Sequence, residues 1–127
     1  MRQEESINFC YNPHMKLVNK KITLNELKKM SLRMFGGLVK AVVDIKRGKM
    51  VVDGAMHADE EKLLLDDGSD QDDIWGINLY PELSGKDFIE FDSIINIRPR
   101  LNNFSRGIDN DKIRKKIIEI VNKLIEK

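Results

Sequence analysis

The chain has 127 residues, of which 41% are hydrophobic and 34% charged, and its formal net charge is +1. This balance predicts one folded domain rather than a disordered chain. A net charge near zero gives no overall electrostatic attraction to nucleic acid or membrane. Cys10 is the only cysteine, which excludes a disulfide within this sequence and suits a reducing compartment. Because no apolar run of about 20 residues and no signal-peptide pattern is present, we expect a cytoplasmic protein without membrane contact. The expected source is prokaryotic, and the abundant lysine and isoleucine indicate an AT-rich genome.

The N-terminal segment lacks any regular pattern. Residues 1–14 are therefore predicted to be a flexible leader, and residues 15–127 a single domain. Thr23 and Glu26 have the spacing of a capping box, which predicts that a first helix begins there. The glycine pair at 36–37 predicts its end, because glycine readily adopts the left-handed conformation that terminates helices.

A hairpin and a second helix are predicted next. Residues 38–45 are rich in β-branched side chains, and residues 49–53 return after a tight turn at 47–48. Residues 58–67 then have three consecutive acids near their start, where the positive end of a helix dipole favours negative charge. This half of the chain therefore predicts the order helix, strand, strand, helix.

The C-terminal half predicts a second pair of strands, the second of them longer, and then a last helix. Residues 74–80 and 88–98 are predicted to pair as strands, with Trp75 on the buried side. A last helix is predicted over residues 110–125, with Asp109 as its N-cap. A bend within residues 88–98 would divide the second strand into two parts.

These elements predict an α+β fold with the order α-β-β-α-β-β-α. Two hairpins favour a four-stranded antiparallel sheet with the helices packed mainly on one face. The opposite face would then be open to solvent or to a ligand.

A row of polar side chains on that open face is the main candidate site. Alternate residues of a strand share a face, so residues 88–98 would place two acids, an amide and a guanidinium together. The neighbouring strand would add an amide and a phenol, and the full set is Asn78, Tyr80, Glu90, Asp92, Asn96 and Arg98. The alternative is that these groups only pair with one another across the sheet, as on any solvated face.

A basic loop before the last helix is a second candidate for binding. Ser105 and Arg106 lie near a helix start, where a phosphate or carboxylate can be held, and Phe104 could stack on a nucleotide base. The alternative is that this loop, with Arg100, pairs with the acidic run at residues 66–73.

A metal site has weaker support in the sequence. Paired carboxylates such as Glu90 and Asp92 can bind a divalent cation, and His57 and Glu82 could complete the ligand set. The spacing matches no known metal motif, so His57 is alternatively a residue at the entry of the second helix. No other cofactor is evident.

Three unusual strings carry a family resemblance: HADEEKLLLDDGSDQDDIWGINLYPE, IEFDSIINIRP and NNFSRGI. Together with the lysine-rich final helix they resemble a family of small prokaryotic proteins known only as a domain of unknown function. The resemblance covers residues 15–127. It implies that the polar segments belong to the pattern of the family, and it brings no activity, cofactor or catalytic residue.

The sequence therefore predicts a binding module that takes a polar or anionic ligand, or a protein partner, on the polar row and the Arg106 loop. The alternative is a metal-assisted hydrolase acting on a phosphate-bearing substrate, with the carboxylates on the metal and the arginines neutralising charge. A third reading is RNA contact through the arginine loop, which would weaken steeply with salt.

Overall fold

The computed structural model describes residues 14–34 and 36–127, and apart from His14 the predicted leader lies outside them. The described residues form three α-helices, which are α1 (Leu24–Ser31), α2 (His57–Asp66) and α3 (Asp111–Leu124). They also form seven strands, which are β1 (Lys16–Val18), β2 (Ile22–Thr23), β3 (Val39–Asp44), β4 (Lys49–Val52), β5 (Ile74–Leu79), β6 (Ile89–Glu90) and β7 (Ile125–Glu126). No helix within these ranges is long and apolar enough to cross a membrane.

The main sheet has five strands in the order β1-β4-β3-β5-β6, with every neighbouring pair antiparallel. The α+β class and the two hairpins are confirmed, but the prediction of four strands is wrong. The predicted element order persists from α1 to α3, and the short strands β1, β2 and β7 are added to it. β2 and β7 pair in parallel as a separate two-stranded sheet.

One face of the main sheet carries the larger core. Alternation along β3 and β5 directs Val43, Trp75 and Ile77 to this face, where α1 and α3 cover them with side chains such as Leu27 and Ile117. All five are at most 1% exposed, as predicted for Trp75. Each such aliphatic side chain contributes about 1.5–3 kcal/mol through burial, so this face supplies most of the apolar stabilisation.

The other face is covered as well, so the expectation of an open sheet face is wrong. A second cluster joins Val42 and Ile74 to Leu64 of α2, with Ile95 packed against it. Two helices therefore lie on one face, and one helix together with an irregular segment lies on the other.

The helix starts follow local rules. Thr23 and Glu26 form the predicted capping box at α1. At α3 the N-cap is Asn110, whose Oδ1 accepts from the backbone N–H groups of residues 112 and 113 at 2.8 and 3.2 Å. The predicted cap, Asp109, instead accepts a hydrogen bond from the Ser105 hydroxyl, and the helix consequently starts one residue later.

The predicted strand over residues 88–98 is also wrong, because β6 ends at Glu90. The chain then continues without strand pairing through residues 91–93 and bends in short 3-10 turns at 94–96 and 99–101. The Asn96 side chain explains this departure: its amide accepts from Gly76 N–H at 2.8 Å and donates to Gly76 C=O at 2.9 Å. The carboxamide thereby satisfies the β5 edge that a longer β6 would have paired.

Gly76 itself makes this close approach feasible. A Cβ at that position would lie 2.6 Å from the Ser93 Cβ, so any larger residue would displace the crossing segment. The bend therefore depends on a contact between residues far apart in sequence.

Candidate functional site

The Glu90 carboxylate is fixed at the end of the sheet by two residues of the neighbouring segment. Its Oε1 accepts from Asn78 Nδ2 at 2.9 Å and from the Tyr80 hydroxyl at 3.0 Å. The antiparallel register that pairs Asn78 with Glu90 places them together. Burial and the bond to Glu90 raise the pKa of Tyr80, which keeps the phenol protonated and donating. Because Glu90 is exposed, its carboxylate presents a fixed negative charge to solvent.

Asp92 and Arg106 form an ion pair beside Glu90. Arg106 Nε donates to Asp92 Oδ1 at 2.7 Å, and both side chains are about half exposed. The backbone carbonyl of Arg106 accepts from Ser93 N–H at 2.9 Å and from Asn96 Nδ2 at 3.0 Å. These bonds hold the Arg106 loop against the irregular segment, so the guanidinium lies at a defined place.

The charges of Asp92 and Arg106 both affect His57, the first residue of α2. Its Nε2 is 2.7 Å from the carbonyl oxygen of Ile77, so Nε2 must carry the proton and donate. Burial lowers the pKa of His57 against the effect of that hydrogen bond; the charges of Lys40 and Arg106 lower it further, while Asp92 raises it. The ring is therefore neutral at pH 7, with Nδ1 as an acceptor.

We call these six residues the polar patch: His57, Asn78, Tyr80, Glu90, Asp92 and Arg106. Five of the eight ligand candidates from the sequence belong to it, and His57 was considered only as a metal ligand. Asn78 is 5% exposed, so it supports Glu90 from below. The patch thus combines two accessible acids, one guanidinium and one neutral imidazole.

Asn96 and Arg98 do not lie in the patch, because the strand that would have aligned them with Glu90 ends early. Asn96 is fully buried on the Gly76 backbone. The Arg98 guanidinium donates to the Ile74 carbonyl at 2.6 Å and lies 4.8 Å from the centre of the Trp75 ring. Both side chains complete the edge of β5 and are too buried to meet a ligand.

Ser105 and Arg100 are also apart from the patch. The Ser105 hydroxyl donates to Asp109 at 3.0 Å and accepts from Gly107 N–H at 3.1 Å. Arg100 forms an ion pair with Asp72 of the acidic run, whereas Arg106 and Arg98 pair with Asp92 and Glu61 outside it.

Three of the four metal candidates, His57, Glu90 and Asp92, lie in the polar patch, but each is engaged by another group, and Glu82 lies apart from them. Glu82 lies 3.9 Å from Lys28, His57 bonds a backbone carbonyl, Asp92 bonds Arg106, and Glu90 bonds Asn78 and Tyr80. Residues 14–34 and 36–127 contain no group of three or more His, Cys, Asp or Glu side chains able to hold a metal ion. The described geometry therefore offers no ligand set for a cation.

Glu60, one turn into α2, is a titratable group that sequence reasoning missed. It is fully buried, and its Oε2 accepts from Gly54 N–H at 2.7 Å, while Oε1 has no hydrogen-bond partner among the described residues. Burial raises the pKa of Glu60 well above its ordinary value, against the Gly54 bond and the charge of Lys40. Among the three consecutive acids at 59–61, Glu60 has the sequence pattern of a solvated residue, and no sequence signal separates it from Glu61.

Of three comparisons with known proteins, one gives a match. The family model described as "Protein of unknown function (DUF5674)" matches residues 16–124. No curated protein matches the chain, and no solved structure does.

Proposed function

Because the chain belongs to this family of unknown function, which brings no activity with it, we propose from its own side chains that it is a binding module for a polar ligand. The observation that carries the proposal is the fixed Glu90 carboxylate, exposed beside the Asp92–Arg106 pair. Groups held in place before binding lose little entropy when a ligand arrives, so such a surface favours specific recognition.

The unused atoms of the patch define the ligand. Within the described residues, Glu90 Oε2 accepts no hydrogen bond, and Arg106 uses only Nε on Asp92. The free Glu90 oxygen suits a hydrogen-bond donor, and the two Nη groups of Arg106 suit a phosphate or carboxylate. The ligand class is therefore a small molecule that carries both a donor and an anionic group.

The test is an amide NMR titration with a mixture of nucleoside monophosphates and triphosphates, followed by magnesium and then by short RNA. We expect shifts confined to residues 57, 78–80, 90–92 and 106. Glu90→Gln combined with Arg106→Ala should abolish them. A matched control is Arg100→Ala, which removes an exposed, acid-paired arginine outside the patch and should leave the shifts in place.

Two results would reject the proposal: no shift in the patch with any probe, or shifts that survive the double variant. Shifts that appear only with magnesium would instead support the metal-assisted hydrolase. Shifts that appear only with RNA and disappear at high salt would support nucleic-acid contact.

A further inference from the structure

A groove lies on the opposite face of β6 from the polar patch. Its volume is about 860 Å³, within the range of ligand sites in proteins. Its apolar lining includes Phe88, Ile89, Phe91 and Ile118, and Leu83, which also lines it, is half exposed. A groove of this size, lined in part by apolar side chains, has room for part of a ligand.

Three cations stand around the groove, and none of the residues that line it is acidic. The Arg114 guanidinium lies 4.8 Å from the centre of the Phe91 ring, and Lys127 Nζ lies 5.9 Å from that of Phe88. Lys86 completes the set. In the part of the chain that the structure describes, none of the three forms an ion pair, whereas Arg98, Arg100 and Arg106 each do.

The edge of β6 also has unused backbone groups. Tyr80 N–H donates to Phe88 C=O at 2.9 Å, and Leu79 faces Ile89 in the register. Because hydrogen-bonded and non-bonded pairs alternate in antiparallel ladders, the Ile89 N–H and C=O point away from β5. β6 is the last strand of the described sheet on this side, so both groups are available to an added strand.

We propose that this groove binds an extended segment of another protein that has an apolar middle and an acidic residue near each end. The positions of the cations favour such a segment. Arg114 lies in the first turn of α3 and Lys127 lies three residues past its end, so they are roughly 15–20 Å apart along the helix. An extended peptide covers that distance with about six residues.

A fatty acid fits these observations less well. It has one anionic head and would leave the cation at the far end of the groove unpaired, and it has no donor for the C=O of Ile89. A peptide added along β6 can fill the apolar lining, pair with a cation near each end and bond the Ile89 backbone, as in recognition by strand addition. The proposal is independent of the polar patch, which lies across the sheet.

The test is a selection from a displayed library of random peptides of about eight residues, long enough to span the groove, on the full chain. Ile118→Glu serves as the counter-target, because it places an acid in the apolar surface. A selected peptide is then titrated against the charge-reversed Lys86→Glu/Lys127→Glu variant. Lys112→Glu/Lys115→Glu, with both changes at exposed positions of α3 outside the groove, is the control of equal net charge.

We expect enriched peptides with aliphatic centres and acids near both ends, and about tenfold weaker binding to the groove variant than to the control. Glu90→Gln should leave peptide binding unchanged, which separates this result from any failure of the polar patch. No enrichment over Ile118→Glu, or enriched peptides without acids, would overturn the proposal. So would decanoate binding in the groove with no peptide selected, since the occupant would then be a lipid.

Discussion

The two residues of β6 face opposite sides of the sheet, and the two sides differ in how far their charges are satisfied. Glu90 faces the polar patch, where its carboxylate is bonded by Asn78 and Tyr80 and the neighbouring arginine is paired. Ile89 faces the groove, where two of the three cations lie over aromatic rings and none of the three forms an ion pair among the described residues. The groove lining therefore keeps its charges unpaired among the described residues, whereas the polar patch retains unused polar groups in only a few atoms.

The first way to break this comparison is to remove a polar group that serves the fold. Asn96→Ala deletes two buried hydrogen bonds to the backbone of Gly76 and a third to the Arg106 carbonyl. Because the N–H and C=O of Gly76 stay buried and unpaired, we expect a loss of about 3–5 kcal/mol in the free energy of unfolding. Urea denaturation measures it.

Two control variants test whether that loss of stability is specific to Asn96. Asn25→Ala changes the same residue type at an exposed position of α1, and Lys86→Ala removes a groove cation. Both should stay within about 0.5 kcal/mol of the parent. If Asn96→Ala cost less than about 1 kcal/mol, the Gly76 backbone would have found other partners and the account of the β5 edge would be wrong.

A second prediction uses the buried acid on the polar side. Burial raises the pKa of Glu60 above its unfolded value, so the folded state holds a proton that the unfolded state releases. This contribution to stability is therefore fully present below about pH 4.5 and is lost as the pH rises through the folded pKa. Glu60→Gln should remove this loss, which amounts to at most about 1.4 kcal/mol per pH unit.

The measurement is the urea midpoint as a function of pH for the parent and Glu60→Gln. Glu119→Gln, which removes an exposed acid from α3, controls for the change in net charge. Parallel curves for parent and Glu60→Gln would mean that this carboxyl titrates alike in the folded and unfolded states.

Local signals were enough to predict much of the fold. The capping box at Thr23, the hairpin of β3 and β4 and the burial of Trp75 each depend on neighbours in sequence or on alternation along one strand. Residues 88–98 defeated the same reasoning, because their alternating isoleucines resemble a strand. A distant glycine and the side chain of Asn96 decide that segment instead, and no local pattern encodes that contact.

The candidate site divides in the same way. Asn78, Tyr80 and Glu90 were expected together, and the register of β5 with β6 brings them together. Asp92 and Arg106 were both predicted as ligand candidates. Their pairing, however, depends on how the Arg106 loop packs against residues 93–96, which no local pattern predicts. The groove was not foreseen, because its residues come from four segments and none carries a motif.

The smallest expected effect tests whether His57 belongs to the polar patch. Asp92 raises the pKa of His57 and Arg106 lowers it, so Asp92→Asn should lower the pKa and Arg106→Gln should raise it. The chain has only two histidines, which makes their ring proton signals simple to follow by NMR during a pH titration. Arg100→Gln is the control and should leave the curve unchanged. If neither patch variant moved the titration, His57 would be screened from the ion pair, and the patch would reduce to Glu90 and its neighbours.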